Sequence, residues 1–422
     1  MFRSSNGELR RCEFPLLVSN EGSKTMVNWG LKTRGLRPIG LDIGHSSIKA
    51  IQLVVNGGRI SVFAADEIRL DACVDGDEQT RRSSVVAAIK QMLAQGTFRG
   101  RDVVSCVPNG RLKITSLRLA ESEKSEIEQT LRKEVAQRFG LNPDEDPMDY
   151  VVAGHVRQGD EVKSELIVFA MDNETIKSHI AMLEEAGLKP VAIDTIPCAL
   201  FRSFERSLRR QEDRELTVVF VDVGSRFTTV VFGRGGQISF VKQIPIGAER
   251  FVQQVAEKLG VSISEAEMLR ESLRAANGFT SVNSDSPGHE ADGDGREIDA
   301  STRHAIGEAV RAVAEDLARE VALCLRYYTV TFRGKRVERA VFAGGGAYED
   351  ILVDVLRHQL AVEVEVAEPL RGFDLSSGKA NVNFYGDRRG LLCEWAVAVG
   401  LSLKGWNKIE TAERLVPCES RD

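Results

Sequence analysis

The chain has 422 residues, of which 42% are hydrophobic and 28% are charged, and its formal net charge is −6. This length predicts about two to four globular domains, and the composition excludes a collagen-like, coiled-coil or largely disordered protein. A mildly acidic chain gives no electrostatic reason to expect nucleic acid as its main partner.

The cysteines and the hydropathy of the sequence indicate the cellular compartment in which the protein is expected. The seven cysteines are scattered and include no C-x-x-C pair, which argues against a disulfide framework or a zinc site and suits a reducing cytoplasm. No apolar run approaches the roughly 18 residues of a membrane span, and the N-terminal apolar segment is too short for a secretory signal. We therefore expect a cytoplasmic protein with no span of its own. Residues 1–35 are predicted to be a disordered or mis-annotated extension, with Met26 as an alternative start to Met1.

The first predicted elements are strands and one helix. Strand segments are predicted over 39–55 and 59–70, joined by a glycine turn. A helix follows over about 80–95, where apolar residues recur at helical spacing. The segment DVVSCVPNG is typical of a short buried strand that stops at Pro108.

From residue 111 to 190 the pattern changes to strand, helix, strand, strand and helix. The last helix has Asp172 or Asn173 as its N-cap and Gly187 at its C-terminal end. Because KPVAIDTIPCALFRSF then resumes the earlier strand-then-helix style, we expect residues 111–190 to form an inserted α+β subdomain.

The opening motif returns near the middle of the chain. In IGLDIGHSSIKAIQL (39–53) a turn carries Asp42 and Gly44, and in LTVVFVDVGSRFTTVVFG (216–233) Asp222 and Gly224 take the same places. Two copies indicate two related halves.

Helices are predicted next at about 247–259, from Ser264, and over about 300–327. Residues 275–299 are rich in Ser, Asp and Gly, which predicts a mobile surface loop. A strand, a triple glycine and a helix follow, and a small-residue helix lies near 393–404.

The predicted first half comprises residues 36–110, 191–212 and 393–405. The inserted subdomain is 111–190, and the second half, 213–392, contains the mobile loop. The two terminal segments are 1–35 and 406–422.

Three elements that contain glycine are the candidates for binding a ligand. An Asp-x-Gly turn alone is typical of an ordinary hairpin. Two such turns facing each other would offer N–H groups to phosphate oxygens and carboxylates to a hydrated Mg²⁺. The strand, Gly344–Gly346 and the helix after them would let a flat ring or a sugar approach the backbone.

In their order these segments resemble those of the actin, hexokinase and chaperone ATPase superfamily, and more closely those of its FtsA-like branch, the PilM family of type IV pilus assembly. The resemblance covers about residues 36–405 and rests on IGLDIGHSSIKAIQL, DPMDYVV, VVFVDVGSRFTTVVF, GAERFVQQVAEKLGVSISEAEMLR, VFAGGGAYEDI and WAVAVGLSLKG. It implies an α/β, actin-like (ribonuclease H-like) duplicated fold with an FtsA/PilM-type inserted α+β subdomain.

The resemblance also implies ATP and Mg²⁺ in a cleft between the halves. Asp42 and Asp222 would organise Mg²⁺ through water. Glu267 and Arg270 match positions that hold ribose and adenine. The other residues implied to bind the nucleotide are Gly44, His45, Ser46, Ser47, Lys49, Gly224, Ser225 and Thr228 at the phosphates, and Gly344, Gly345 and Gly346 at the adenosine.

Three positions depart from the family pattern. His45 stands where relatives commonly have Ser, and is either an exposed turn residue or a phosphate contact. Arg270 replaces the usual Lys, which keeps the charge and allows stacking on the base. Ile196 stands where a polar residue would position the attacking water. Catalytic residues are therefore unknown, with Asp42, Asp194 and Asp222 as weak candidates, and the resemblance leaves at most a weak ATPase.

The implied function is a cytoplasmic ATP-binding scaffold at the inner-membrane assembly platform of type IV pili, or of a related type II secretion system. Such a scaffold is peripheral to the membrane because it holds the cytoplasmic N-terminal tail of a PilN-like protein. Other platform proteins and a homo-oligomer remain open as partners. Two alternatives also stay open: a small-molecule kinase of the same fold, and an FtsA-like membrane-tethered filament former.

Overall fold

The computed structural model describes residues 35–56, 58–70, 78–120, 124–158, 161–205, 216–276, 298–332, 336–375 and 391–405. The C-terminal tail, the predicted N-terminal extension except its last residue, and nearly all of the predicted mobile loop lie outside these residues.

The strands are β1 (Leu36–Ile43), β2 (Ser47–Asn56), β3 (Arg59–Arg69), β4 (Asp102–Cys106), β5 (Lys113–Ala120), β6 (Met148–Gln158), β7 (Glu161–Ala170), β8 (Lys189–Asp194), β9 (Thr217–Val223), β10 (Thr228–Arg234), β11 (Gln237–Ile244), β12 (Arg339–Ala343) and β13 (Glu363–Val366). The α-helices are α1 (Glu78–Ala94), α2 (Lys124–Phe139), α3 (Asn173–Glu185), α4 (Ile196–Glu205), α5 (Ala248–Leu259), α6 (Ile263–Ala276), α7 (Ala300–Thr331), α8 (Asp350–Gln359) and α9 (Ala396–Ser402).

Two five-stranded sheets repeat one topology. Their strand orders are β3-β2-β1-β4-β8 and β11-β10-β9-β12-β13. In both, the first three strands are antiparallel and the central strand pairs in parallel with the next. The repeat seen in the sequence is therefore a structural duplication, with β1 and β9 at equivalent central places.

The third sheet has the order β5-β7-β6 and lies in the chain between β4 and β8. One of its faces packs against α2 around Leu131, Leu166 and Val168. The helix α3, which we predict within the 111–190 unit, packs instead against α1 and β8. The parallel pairing of β4 and β8 explains this difference, because a parallel pair needs a crossover connection and α3 supplies its helix.

Two elements differ from the predicted pattern. The sequence analysis did not predict β13, a four-residue edge strand in which Glu and Val alternate. α7 continues beyond the predicted end to Thr331, because Tyr328 and Thr331 are buried and no breaker interrupts the helix. None of the helices among the described residues is both long and apolar enough to cross a membrane.

The helix α9 packs directly on β1 and α4. A Cβ atom added at Gly400 would lie 1.8 Å from the Ala199 carbonyl oxygen, and one added at Gly40 would lie 2.2 Å from the Ala398 carbonyl oxygen. Glycine at both positions therefore lets the backbones touch.

The two halves share one apolar core, and a polar turn also joins them. A single buried cluster runs from Leu41 in β1 to Val219 in β9 and Leu317 in α7. The Asn109 side chain donates to Thr229 Oγ1 at 2.9 Å and accepts from Gln243 Nε2 at 2.8 Å.

Burial of His179 predicts acid sensitivity of the fold. His179 lies on α3 with Nε2 3.2 Å from Ser105 Oγ, and burial lowers its pKa from 6.5 to about 4. The unfolded chain binds this proton more readily, so the stabilisation is complete above pH 6.5 and is lost as the pH falls through 4. The loss is about 3 kcal/mol.

Urea unfolding of the wild type and of His179→Gln between pH 7.5 and 4 tests this prediction. The variant keeps a polar partner for Ser105 but does not titrate, so its free energy of unfolding should fall less steeply with acid. His304→Gln, at an exposed site on α7, should keep the wild-type slope. Equal slopes for the wild type and His179→Gln would contradict the prediction.

Candidate functional site

The central strands β1 and β9 both end in an acidic turn, and the fold brings the two aspartates together. Burial raises the pKa of Asp222 to about 7, and the negative charge of Asp42 acts in the same direction. Burial also raises the pKa of Asp42, against the opposing effect of the Lys49 ammonium. Asp42 and Asp222 thus interact across the space between the halves.

Lys49 is the cation next to this pair. In the β1–β2 register it lies opposite Asp42, its Nζ is 3.2 Å from Glu67 Oε1, and it donates to Ser47 Oγ at 2.6 Å. Burial disfavours its charge, but the carboxylates of Glu67, Asp42 and Glu394 raise the pKa of Lys49. The ammonium is therefore held charged within an acidic cluster.

The sequence analysis did not identify two carboxylates of this cluster, Glu67 and Glu394. Glu394 lies in the short 3₁₀ turn before α9 and accepts a hydrogen bond from the Tyr348 hydroxyl at 2.5 Å. Burial raises the pKa of Glu394. The sequence feature that could have indicated Glu394 is its place as a single acidic residue within the otherwise apolar segment LLCEWAVAVG.

The first turn is held by a residue that local sequence could not reveal. Arg81, in the first turn of α1, donates to the carbonyl oxygens of Gly44 at 2.9 Å and of His45 at 3.0 Å. A Cβ at Gly44 would lie 2.7 Å from the Ser47 carbonyl oxygen, so this tight turn requires glycine. Ser46 is exposed at the tip of the turn.

The second turn is closed by its own backbone and by the start of α5. Gly224 N donates to the Phe227 carbonyl oxygen at 3.1 Å, and Ala248 N donates to the Gly224 carbonyl oxygen at 2.8 Å. The buried Thr228 hydroxyl donates to the Ile246 carbonyl oxygen at 2.7 Å. Thr228 therefore stabilises the turn, and its predicted phosphate contact stays a prediction.

Glu249 joins the two turns. Its carboxylate accepts from Ser225 Oγ at 2.6 Å and from Arg226 Nε at 3.0 Å. His45 Nε2, from the first turn, lies 3.2 Å from Glu249 Oε1. The His45 side chain is only 20% exposed and contacts a carboxylate of the opposite half, and its predicted phosphate contact stays a prediction.

The triple glycine packs on the second turn. A Cβ at Gly344, where φ is 83°, would lie 2.6 Å from Asp222 Oδ1, and one at Gly346 would lie 2.3 Å from Val223 Cγ1. Among the residues that the structure describes, apart from its chain neighbours, none has an atom within 4 Å of a Cβ built on Gly345. The outer glycines thus allow close packing, whereas the middle one borders open space.

A cavity of about 980 Å³ lies beyond this turn, between α6, α7 and the start of α8. Its lining includes Arg270, Leu273, Arg303 and Tyr348. Its volume is within the range of small-molecule pockets, roughly 300–1,000 Å³.

The two residues predicted for ribose and adenine differ in exposure. Arg270 is only 6% exposed, with its guanidinium 2.7 Å from Glu349 Oε2 and 5.5 Å from the Phe251 ring centre. Glu267, one turn earlier on α6, is exposed. Arg270 thus ties α6 to the segment after the triple glycine, at the wall of the cavity.

Asp194 is fully buried in a separate ion cluster. Its Oδ2 lies 2.9 Å from Arg202 Nη1 and 3.0 Å from Lys404 Nζ. Burial opposes ionisation, but these two cations lower the pKa of Asp194. Asp194 is therefore ion-paired with two cations in the structure. Its role in hydrolysis stays a prediction.

The residues present fit a hydrated Mg²⁺. Within the described ranges no three Asp, Glu, His or Cys side chains form a group suited to holding a metal. Mg²⁺ commonly keeps several waters and uses one or two carboxylates with substrate phosphates, so Asp42 and Asp222 suffice for that mode. A cation would also favour the ionised form of Asp222, whose pKa is raised by burial and by the charge of Asp42.

Comparisons with known proteins agree with this architecture. A PilM–PilN type IV pilus biogenesis complex matches with a TM-score of 0.68 and 21% identity, over 87% of this chain and 98% of that one. EutJ, an ethanolamine utilization protein from Carboxydothermus hydrogenoformans, matches with a TM-score of 0.48 and 15% identity, over 88% and 90% of the two chains. The 2-hydroxyisocaproyl-CoA dehydratase activator from Clostridium difficile, with bound ADPNP, matches with a TM-score of 0.40 and 12% identity, over 91% and 100%.

The first of these structures confirms the predicted α/β, actin-like fold. The family model described as "Type IV pilus assembly protein PilM" matches residues 40–280 and 307–406, which is most of the chain. The chain therefore belongs to the PilM family of type IV pilus assembly proteins.

Proposed function

We propose that this protein is a scaffold of type IV pilus assembly that holds Mg²⁺ and ATP between its two halves. Family membership supports the role in pilus assembly. The main observation in support of a nucleotide is that two Asp-x-Gly turns lie together beside a buried, charged lysine. Paired turns of this kind present backbone N–H groups and carboxylates, which suit phosphates with a hydrated cation.

Each part of the site has residues that suit one part of the ligand. Asp42 and Asp222 would hold the hydrated Mg²⁺, which neutralises phosphate charge when bound. Lys49 supplies the compensating positive charge within the cluster. The open space at Gly345 suits the adenosine, and the cavity beside Arg270 suits the base.

The site supports binding better than turnover. Ile196 begins α4 with an apolar side chain where a polar group would position water, and the neighbouring Asp194 is occupied by Arg202 and Lys404. ATP then acts as a structural ligand, with a weak ATPase activity at most. At about 1,000 times its Kd, such a ligand stabilises the folded state by about 4 kcal/mol without being consumed.

The partner we propose is the cytoplasmic N-terminal tail of a PilN-like inner-membrane protein. A matching structure that contains both PilM and PilN supports this partner. The tail would lie in a groove beside the sheet β5-β7-β6, which is not hydrogen-bonded to either large sheet and contacts β11 of the second. The protein would then reside in the cytoplasm, at the membrane through its partner, with other platform proteins and further copies of itself as additional contacts.

The raised pKa of Asp222 predicts how nucleotide affinity depends on pH. Mg²⁺ needs the ionised carboxylate, and with a pKa of about 7 most of Asp222 is protonated at pH 6 and ionised at pH 8. Calorimetric titration with Mg·ATP should therefore give about tenfold tighter binding at pH 8 than at pH 6. Asp222→Asn should weaken binding at pH 8 and reduce this difference to the part that comes from ATP itself.

The same variant separates a binding defect from a folding defect. A carboxyl whose pKa is raised by folding contributes stability below its ordinary pKa of 3.8, and that contribution is lost as the pH rises through about 7. Without nucleotide, Asp222→Asn should therefore have a higher Tm than the wild type at pH 8. Asp316→Asn, on the exposed face of α7, is the charge control. Unchanged affinity and pH response in Asp222→Asn would refute the assignment.

A direct titration tests the partner. A fluorescent peptide with the N-terminal cytoplasmic sequence of the PilN-like protein from the same genome should bind this protein with saturable anisotropy. A scrambled peptide of the same composition controls for charge. If the two peptides bind equally weakly, with and without Mg·ATP, the tail is not the partner.

A further inference from the structure

The Glu249 carboxylate is the meeting point of three side chains from both halves. A hydroxyl from Ser225, a guanidinium N–H from Arg226 and the imidazole of His45 surround its two oxygens at 2.6, 3.0 and 3.2 Å. Ser225 and Arg226 belong to the second acidic turn and His45 to the first. These are groups that bind phosphate oxygens as readily as carboxylate oxygens.

The backbone around Glu249 is fixed, whereas its side chain can leave. A Cβ at Gly247 would lie 2.3 Å from the Ser225 carbonyl oxygen, so α5 begins in direct contact with the second turn. Glu249 N donates to the same carbonyl oxygen at 2.9 Å. The Glu249 side chain is 32% exposed, so it can rotate towards solvent without moving the helix.

We propose that Glu249 competes with the terminal phosphate of a bound nucleoside triphosphate for His45, Ser225 and Arg226. This inference rests on the proposed nucleotide site and concerns which nucleotide that site prefers. A carboxylate and a phosphate cannot share the same donors closely, because both are negative. Binding of a triphosphate therefore displaces Glu249, whereas a diphosphate leaves it in place.

The competition makes the contact between the halves depend on the nucleotide. Without a terminal phosphate, the His45 to Glu249 contact joins the two turns directly. With a terminal phosphate, the same donors contact the ligand and the protein contact opens. The protein thereby distinguishes the two nucleotides without a catalytic step.

The test compares two glutamates on one helix. Glu249→Gln keeps the size and one acceptor oxygen but removes the charge that competes with phosphate. Glu257→Gln makes the same change two turns later on α5, where the side chain pairs with Arg250 at 3.2 Å and contacts neither turn. Calorimetry at pH 8 gives the Kd of Mg·ATP and of Mg·ADP for the wild type and both variants.

Glu249→Gln should lower the ratio of the ATP Kd to the ADP Kd by about tenfold, and Glu257→Gln should leave it unchanged. Appearance of ATP binding in Glu249→Gln alone would also support the competition. An unchanged ratio in Glu249→Gln, with wild-type protein that binds nucleotide, would overturn this inference and leave the proposed function intact. Absence of nucleotide binding in all three proteins would overturn both.

Discussion

The burial of two neighbouring carboxyl groups, those of Asp42 and Asp222, is the constraint on which the candidate site depends. Each aspartate ends the central strand of one sheet, and the duplicated topology brings both strand ends together in a partly buried place. Burial disfavours the ionised form of Asp222 and the negative charge of Asp42 adds to this effect, so the pKa of Asp222 is raised to about 7. The structure around it holds the turns in place by other means: Arg81 binds the carbonyl groups of the first, and Gly344 packs against the second.

The duplication is not symmetric at this site, because equivalent positions of the two halves hold different residues with different roles. In β2, the residue opposite Asp42 is Lys49, whereas in β10 the residue opposite Asp222 is Thr229. Lys49 supplies the positive charge of the cluster. Thr229 instead accepts a hydrogen bond from Asn109 and so joins the second half to the first. One position of the repeat thus balances charge in one copy and fixes the arrangement of the copies in the other.

Sequence patterns predicted most of the fold, because strands, helices and their repeats depend on local periodicity and turn residues. The short edge strand β13 and the last turn of α7 were not predicted, because packing rather than local sequence pattern determines whether they form. At the site, the turns with Asp42 and Asp222 were recognisable because each is a contiguous motif. The partners that complete it come from distant segments, and no local signal marks Arg81 or Glu249 as reaching these turns. The pairing of Arg270 with Glu349, 79 residues apart, likewise appears only in three dimensions.

The contacts between the halves are of two kinds. The first is apolar packing of α4 on the second sheet, where Phe204 stacks on Phe220 with ring centres 5.1 Å apart. Apolar packing of this kind is stable and leaves little freedom to move. The second kind is the exposed ion pair, such as Arg69 with Glu271 at 3.8 Å. Exposed pairs contribute about 0–1 kcal/mol, so these contacts join the halves only weakly. Under the proposed function, a ligand that contacts both turns would change the free energy of this contact by more than these pairs do, so the arrangement of the two turns would depend on what is bound.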